Sequence, residues 1–394
     1  MVRNFLNHYQ SNLALSAVIL YFFTFGLNSS IDYGLLILAI SSAVLTLANN
    51  SSTEPYFINP SIGFFLLSIL ISNYFSENSQ RSADLLLTLL PALLSYHLIS
   101  HYFYQQQIER LLLAISIFSL LIAVYLLNIA LFFNREIPAV WIEKSSLSYL
   151  KSPNSIIFII LLTPFVFHQL KNKYFFIKTV AMTGILLNLA ISIIYQSRIS
   201  LLVLLVIIVM SLYHKSLKKN FFILLGLSGI VILMDALTGY AFISKVWQHS
   251  WLSRLPLWLA AYDMFLDAPL FGHGGGSYLL LNPIFLKQQG EFALLNEDPR
   301  IAPWAHNLYL EVLAEQGIIG FIALLSLLVF YLRRGLKMLN KMPAIENLPL
   351  SPVLISMVGF CVAALFELSL WHQWVLLWLF MLLGLLDKLN QLKS

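Results

Sequence analysis

The chain has 394 residues, of which 59% are hydrophobic and only 10% are charged, and its formal net charge is +5. Soluble globular domains carry about 25% charged residues, so the composition excludes an ordinary soluble domain. Apolar runs of about 20 residues recur along the whole length, which indicates membrane-spanning helices and excludes a barrel of short alternating strands. The single cysteine, Cys361, excludes a disulfide framework and a thiolate metal site.

The apolar runs predict an all-α polytopic membrane protein with about twelve transmembrane helices, forming one integral membrane domain over residues 1–394. The first run is followed at once by others, so we expect it to be a helix of the bundle and not a removable signal peptide. The spans are predicted at 12–29, 33–49, 57–75, 83–103, 109–133, 155–170, 175–195, 199–213, 220–241, 306–332, 351–371 and 373–388.

Short basic clusters decide the orientation of these spans. The clusters at 171–178, 214–219 and 333–341 all fall on the side of the membrane that also holds both termini. Because cytoplasmic loops carry an excess of Lys and Arg, the sequence predicts that both termini are cytoplasmic. The same bias explains the net charge of +5, so we expect membrane lipids and no nucleic acid as partners.

Residues 242–305 form a large loop on the outer side, between the ninth and tenth predicted spans, and loops of this length in compact proteins are usually functional. Ser253 and Pro256 indicate the start of a helix within this loop. Apolar residues follow at helical spacing and predict an amphipathic helix that lies against the outer leaflet or over the bundle. These residues are Leu255, Trp258, Leu259, Tyr262 and Phe265.

A glycine-rich segment, residues 271–278, follows this helix and predicts a flexible turn. It resembles a phosphate-binding loop only superficially, because it follows no strand and lacks the lysine–serine ending of a nucleotide P-loop. Its backbone amides remain candidates to bind an anion.

Polar groups are concentrated where the chain re-enters the membrane, between Trp304 and Gly320. His306 is placed at the outer end of the tenth span, where a neutral imidazole facing water is a candidate general base. The alternative is an interfacial histidine bound to backbone. Glu311 and Glu315 lie one turn apart below it, and they either orient the histidine or pair with an arginine.

Three further charged residues are predicted on the same side. Arg198 lies in a short turn against the positive-inside trend, so it is either an anchor at the headgroups or a phosphate ligand. Arg254 lies at the start of the loop helix, and it too is either an anchor at the headgroups or a phosphate ligand. Glu367, near the outer end of the eleventh span, is either a partner of one of these arginines or an interfacial residue.

The pattern from His306 to Gly320 is similar to the signature of the bacterial O-antigen ligase and polymerase superfamily. The residues that carry the likeness in this pattern are His306, Asn307, Tyr309, Leu310, Glu311, Leu313, Ala314, Glu315, Gly317 and Gly320. Ser253-Arg254 with Trp258, Phe265 and the run from Pro269 to Gly274 also resembles this family, as does the turn Gln196-Ser197-Arg198.

The resemblance implies a C-type glycosyltransferase fold with its active site on the periplasmic face of the bacterial inner membrane. It implies His306 as general base and Arg198 and Arg254 as the cations that bind pyrophosphate. We also expect contacts with the pyrophosphate or the acceptor from Asn307, Tyr309, Glu311, Trp258 and Gly274. No cofactor and no metal is expected.

The implied reaction transfers an O-antigen polysaccharide from an undecaprenyl-pyrophosphate donor to a sugar hydroxyl of lipid A-core. An O-antigen polymerase and a protein O-oligosaccharyltransferase acting on pilin are the alternatives within the superfamily. A membrane transporter is the alternative from another class. It is disfavoured because transporters usually place polar groups at the midplane within an internal repeat, and this chain does neither.

Overall fold

The computed structural model describes residues 2–24, 31–48, 59–76, 85–132, 156–195, 197–212, 254–290, 304–341 and 350–392, and all regular secondary structure in these ranges is helical. In chain order the helices are α1 (Val2–Thr24), α2 (Ile31–Ala48), α3 (Pro60–Tyr74), α4 (Leu89–Tyr102), α5 (Gln105–Phe132), α6 (Ile157–Gln169), α7 (Phe175–Ile194), α8 (Arg198–Leu212), α9 (Leu255–Asp267), α10 (Ser277–Gln288), α11 (Leu308–Lys341), α12 (Leu350–Ala364) and α13 (Gln373–Gln391).

The prediction of an all-helical fold is confirmed for the described residues. Within the described ranges, four helices are long and apolar enough to cross a membrane, namely α5, α7, α11 and α13, and several shorter apolar helices accompany them. Helices lie at every predicted span except 220–241, which falls outside the described residues. The count of twelve transmembrane helices therefore stays a prediction.

Helix α13 lies at the centre of the bundle. Its side chains are buried almost without interruption from Trp374 to Leu389, which is typical of a helix surrounded by other helices on all sides. It packs mainly against α4 and also against α11 and α12. Helix α6 is similarly buried and packs against α5, α7, α8 and α12. These two helices form the core that supports the others.

Helix α9 confirms the helix predicted in the large loop, with Pro256 in its first turn, whereas Ser253 lies outside the described residues. The predicted apolar face is not the face packed on the bundle, since Tyr262 on it is 46% exposed, and its contact with the outer leaflet stays a prediction. The buried face instead carries Leu257, Ala260, Ala261 and Met264. Small alanines let α9 approach α11 closely, and this leaves the larger apolar side chains on the outward face.

The glycine-rich segment ends in a second loop helix, α10, which the sequence pattern did not predict. Gly276 precedes it with a left-handed φ of 71°. Helix α10 packs against α9 and α11, and Tyr278 in its first turn is fully buried, with its hydroxyl donating to the carbonyl of Leu257 at 3.0 Å. The described part of the loop, α9 and α10, therefore packs against α11 of the bundle.

Candidate active site

His306 lies just before α11 in a strained backbone conformation. Its φ is 53°, and it is the only non-glycine residue with a positive φ in the described part of the chain. Such a conformation costs energy for a residue with a β-carbon and is concentrated at functional sites. The next residue, Asn307, caps α11, since its Oδ1 accepts from the amides of Tyr309 and Leu310 at 3.0 and 3.1 Å. The cap fixes the point at which the imidazole leaves the helix.

A buried carboxylate joins His306 to Arg254. Glu367 follows α12 and is 5% exposed. Its Oε2 lies 3.1 Å from His306 Nδ1 and 2.9 Å from Arg254 Nη2. Because an ionised carboxylate can only accept hydrogen bonds, Nδ1 of a neutral His306 must carry the proton. Nε2 then keeps its lone pair, so the geometry presents Nε2 as a base.

Arg254 is held against the turn after α12 by two contacts. Besides the ion pair with Glu367, its Nη1 donates to the carbonyl of Phe366 at 2.6 Å. The residue is the N-cap of α9, so the loop helix delivers the guanidinium to the histidine. A guanidinium has five N–H donors, and these two contacts leave others for an anionic ligand.

Trp304 and His372 lie next to His306 and form a further part of the site. The Trp304 ring centroid lies 5.1 Å from the His306 ring and 4.5 Å from the His372 ring, with the latter pair edge to face. His372 is half-buried and precedes α13. Burial lowers the pKa of His372 to about 4, with Glu367 opposing this effect and His306 adding to it. The His372 ring is therefore neutral at physiological pH.

Glu311 and Glu315 hold the segment that carries Glu367 and His372. The Ser369 hydroxyl and the Leu370 amide donate to Glu311 Oε1, and the Trp371 indole N–H donates to Glu315 Oε2. The prediction that one of these two carboxylates orients His306 is wrong, because Glu367 has that place. They act instead as supports inside the bundle.

Helix α11 is interrupted at Gly317, where φ is 63° and ψ is −167°. The break frees backbone groups that a continuous helix would pair, and such groups must be satisfied inside a membrane. The chain before α10 satisfies them: the amides of Ile318 and Ile319 donate to the carbonyls of Pro269 and Leu270 at 2.9 and 3.4 Å. The loop is thereby joined to the helix that begins beside His306.

The glycine-rich segment completes this junction. The amides of His273 and Gly274 donate to the carbonyls of Ala314 and Glu315 at 3.3 and 2.8 Å. Gly275 donates to Asn73 Oδ1 at 2.8 Å, which adds α3 to the junction. The turn is therefore hydrogen-bonded rather than flexible, and these three amides bind the protein itself and not an anion.

The other predicted residues contact the protein in the described structure. The Tyr309 hydroxyl donates to the carbonyl of Cys361 at 3.1 Å, and Trp258 is half-buried on α9. Arg198 begins α8 with an exposed side chain, and α8 packs against α12, which leads to Glu367. Roles of these residues toward substrate stay predictions. In the described residues no group of three or more His, Cys, Asp or Glu could hold a metal ion.

The polar run between Glu367 and His372 contributes more to the site than the sequence pattern indicated. This run supplies the partner of His306 and Arg254 and the donors to Glu311 and Glu315. The sequence did contain an indication of this role, because the run lies at the end of an otherwise apolar span, just as the run at Trp304 lies at the beginning of one. What the sequence did not contain was the pairing of the two runs across the bundle.

Together these features define an all-helical membrane protein with a histidine–carboxylate–arginine site at one end of its bundle. Residues 183–325 match the family model described as O-antigen ligase, so the predicted relationship to the O-antigen ligase superfamily is confirmed over that region. No curated protein matches the chain. The matched region contains Arg198, Arg254 and His306, whereas Glu367 and His372 lie beyond it. The family is one of O-antigen ligase and polymerase-type glycan transfer.

Proposed function

We propose that the protein transfers an O-antigen polysaccharide from undecaprenyl pyrophosphate to a sugar hydroxyl of lipid A-core, on the periplasmic face of the bacterial inner membrane. The observation that carries this proposal is the Glu367 carboxylate shared by His306 and Arg254. In this set of three residues, His306 can accept a proton while Arg254 binds an anion. A transfer from a pyrophosphate donor to a hydroxyl needs both.

His306 acts as the general base. Glu367 fixes the ring orientation and the tautomer, and it stabilises the imidazolium that forms when Nε2 takes a proton, as carboxylates do in other histidine-dependent transferases and hydrolases. The left-handed backbone at His306 is consistent with this role, since strain of this kind is retained where the surrounding structure requires one particular geometry.

Arg254 and Arg198 neutralise the leaving group. As the glycosidic bond breaks, negative charge grows on the pyrophosphate, and fixed guanidiniums placed near that charge lower the barrier by several kcal/mol. The contacts of Arg254 with Phe366 and Glu367 prevent its reorganisation during the reaction. Arg198 is assigned from the motif and from its place at the start of α8.

The proposed step is balanced without any cofactor. The acceptor hydroxyl loses its proton to His306 Nε2 as its oxygen forms a bond to the anomeric carbon of the donor. The bond from that carbon to the pyrophosphate oxygen breaks, and its electron pair leaves with undecaprenyl pyrophosphate. The protonated His306 then returns its proton to water. The energy comes from the activated carrier linkage.

The membrane setting supports a lipid-linked donor. Many large apolar side chains face away from the bundle, so a polyprenyl tail can lie against the protein while its pyrophosphate reaches the helix ends. The positive-inside pattern of the loops supports a periplasmic position for the His306 end and a cytoplasmic position for both termini.

The lipopolysaccharide profile of a strain that lacks the gene tests the proposal. We expect core without polymer, together with polymer that accumulates on the carrier, and recovery of the ladder with the wild-type gene but not with His306→Ala. Core that carries a single repeat unit would instead identify a polymerase, and an intact ladder with unglycosylated pilin a protein transferase. An unchanged glycan profile together with a defect in solute uptake would favour a transporter.

A further inference from the structure

His372 differs from the other described histidines in having no hydrogen-bond partner for its ring. The side chains of the others all contact a polar group of the protein: His8, His97, His101, His168, His273 and His306. No described residue contacts the His372 ring in this way, and the ring does not cap α13, which it precedes. A half-buried imidazole without a partner in the described protein is available to a ligand.

A second unused donor lies beside it. The indole N–H of Trp304 is buried and has no hydrogen-bond partner in the described structure, and the Trp304 ring contacts the rings of both His372 and His306. Two side chains thus meet next to the general base, and together they offer an indole N–H donor, an imidazole that both donates and accepts, and an aromatic surface.

The position of His372 is fixed before any ligand arrives. Its amide donates to the carbonyl of Ser369 at 3.3 Å, and its carbonyl accepts from Val375 at 2.8 Å in the first turn of α13. The neighbouring Trp371 is held by Glu315. A preorganised group loses less entropy on binding than a mobile one, so the segment is suited to recognition.

We propose that Trp304 and His372 form a subsite for a pyranose ring of the glycan substrate, placed beside His306. A sugar ring offers hydroxyls that both donate and accept and an apolar face that packs on an aromatic ring, and aromatic walls with a few placed polar groups are typical of ligand sites. This subsite rests on the proposed glycan transfer, whose substrates place one sugar on each side of the bond that forms.

The electrostatics of the subsite favour a sugar over the pyrophosphate. The pyrophosphate is matched by the permanently charged Arg254, which is held on the turn after α12. His372 stays uncharged at physiological pH, since burial lowers its pKa to about 4. A neutral group with one donor and one acceptor is suited to a hydroxyl rather than to a multiply charged anion.

The test compares His372→Phe and Trp304→Phe with wild type in purified full-length protein, using carrier-linked glycan and lipid A-core. Both substitutions keep an aromatic ring and remove hydrogen-bonding groups. We expect the KM for one sugar substrate to rise about tenfold in His372→Phe and a fewfold in Trp304→Phe, with kcat changed less than KM. A rise in the acceptor KM assigns the subsite to the lipid A-core sugar, and a rise in the donor KM assigns it to the first sugar on the carrier.

His168→Phe serves as the matched control, because it removes a partly buried imidazole whose partner is Glu109, outside the site. It should leave both KM values unchanged. Wild-type KM values in His372→Phe and Trp304→Phe, or a loss of kcat alone, would overturn the subsite. If His372→Phe does not fold, Trp304→Phe decides by the same criterion.

A binding measurement separates this proposal from the proposed function. Titration of free core oligosaccharide and of free O-unit oligosaccharide into the protein by calorimetry does not require transfer. Weaker binding of either sugar by His372→Phe than by His168→Phe supports the subsite even if wild-type protein transfers no glycan, a result that would remove the proposed function alone. Equal binding by both variants contradicts the subsite.

Discussion

At the scale of single residues, the site depends on one carboxylate with two partners. Glu367 accepts from both His306 and Arg254 while remaining 5% exposed. Charge-assisted hydrogen bonds of this kind are shorter and stronger than neutral ones. Their removal is costly, because a buried charge that loses its partner destabilises a protein by about 3–5 kcal/mol. Function and local stability are therefore coupled at this residue.

Arg254 variants should separate charge from geometry. Arg254→Lys keeps a cation beside Glu367 but loses the planar fork, so we expect correctly inserted protein with transfer reduced roughly tenfold to a hundredfold. Arg254→Ala should lose more activity and also lower the melting temperature, since Glu367 is left unpaired.

The measurement for Arg254 is donor KM and melting temperature of the detergent-purified variants. Lys287 on α10 provides the control, because its side chain is exposed, and Lys287→Ala should leave both quantities unchanged. Donor KM at the wild-type value in both Arg254 variants would remove the pyrophosphate role.

At the scale of elements, the site depends on a broken helix. The interruption of α11 at Gly317 allows the chain before α10 to pair with its backbone, which ties the loop that carries Arg254 to the helix that begins beside His306. A continuous helix would leave the loop without these partners.

Substitution of Gly317 should loosen this junction. A β-carbon there would lie 2.4 Å from the Leu270 carbonyl oxygen, on a backbone with φ of 63°, and strain in this region alone costs about 1–3 kcal/mol. We expect Gly317→Ala to lower both the melting temperature and the transfer activity. Gly290→Ala is the matched control, because its φ of 58° is similar but nothing lies within 4 Å.

Thermal unfolding followed by tryptophan fluorescence compares the two glycine variants. Gly290→Ala should show only the small cost of a left-handed alanine, about 1–2 kcal/mol. Equal losses in the two variants would mean that the contact with Leu270 does not matter, and the proposed junction would then be incorrect.

Sequence patterns predicted the helices well and their faces less well. Long apolar runs identify spans because burial in lipid requires them, and Pro256 marked the start of α9 correctly. The face of α9 that packs on the bundle carries the small residues Ala260 and Ala261, and a pattern of large apolar residues does not identify such a face. The pairing of Glu367 with His306 depends on residues 61 positions apart, which no local pattern contains.

At the scale of the whole molecule, polar groups gather at both ends of α11. The end opposite His306 has its own buried cluster, in which Asp387 accepts from Tyr96, Tyr331 and Arg334 at 2.7, 2.6 and 2.6 Å. This cluster joins α4, α11 and α13. From Ile318, just after the break at Gly317, to Arg334 the helix rises by about 24 Å, so the two clusters lie far apart along α11.

The Asp387 cluster tests whether transfer at the His306 site depends on the other end of the bundle. Asp387→Ala leaves Arg334 and two tyrosine hydroxyls without their shared acceptor, so we expect a loss of about 3 kcal/mol in stability. Transfer by the protein that remains folded should keep the wild-type KM values. Altered KM values in folded Asp387→Ala protein would show that the two ends are coupled, contrary to this account.

In the proposed mechanism His306, oriented by Glu367, removes the proton of the acceptor hydroxyl during glycan transfer. The most direct measurement is the single-turnover rate of transfer from carrier-linked glycan to lipid A-core in wild type, His306→Ala, Glu367→Gln and the double variant. We predict a loss of about 10²- to 10⁴-fold for His306→Ala, and a smaller cost of Glu367→Gln when His306 is already absent. A His306→Ala rate close to wild type, or an equal cost of Glu367→Gln in both backgrounds, would contradict this mechanism.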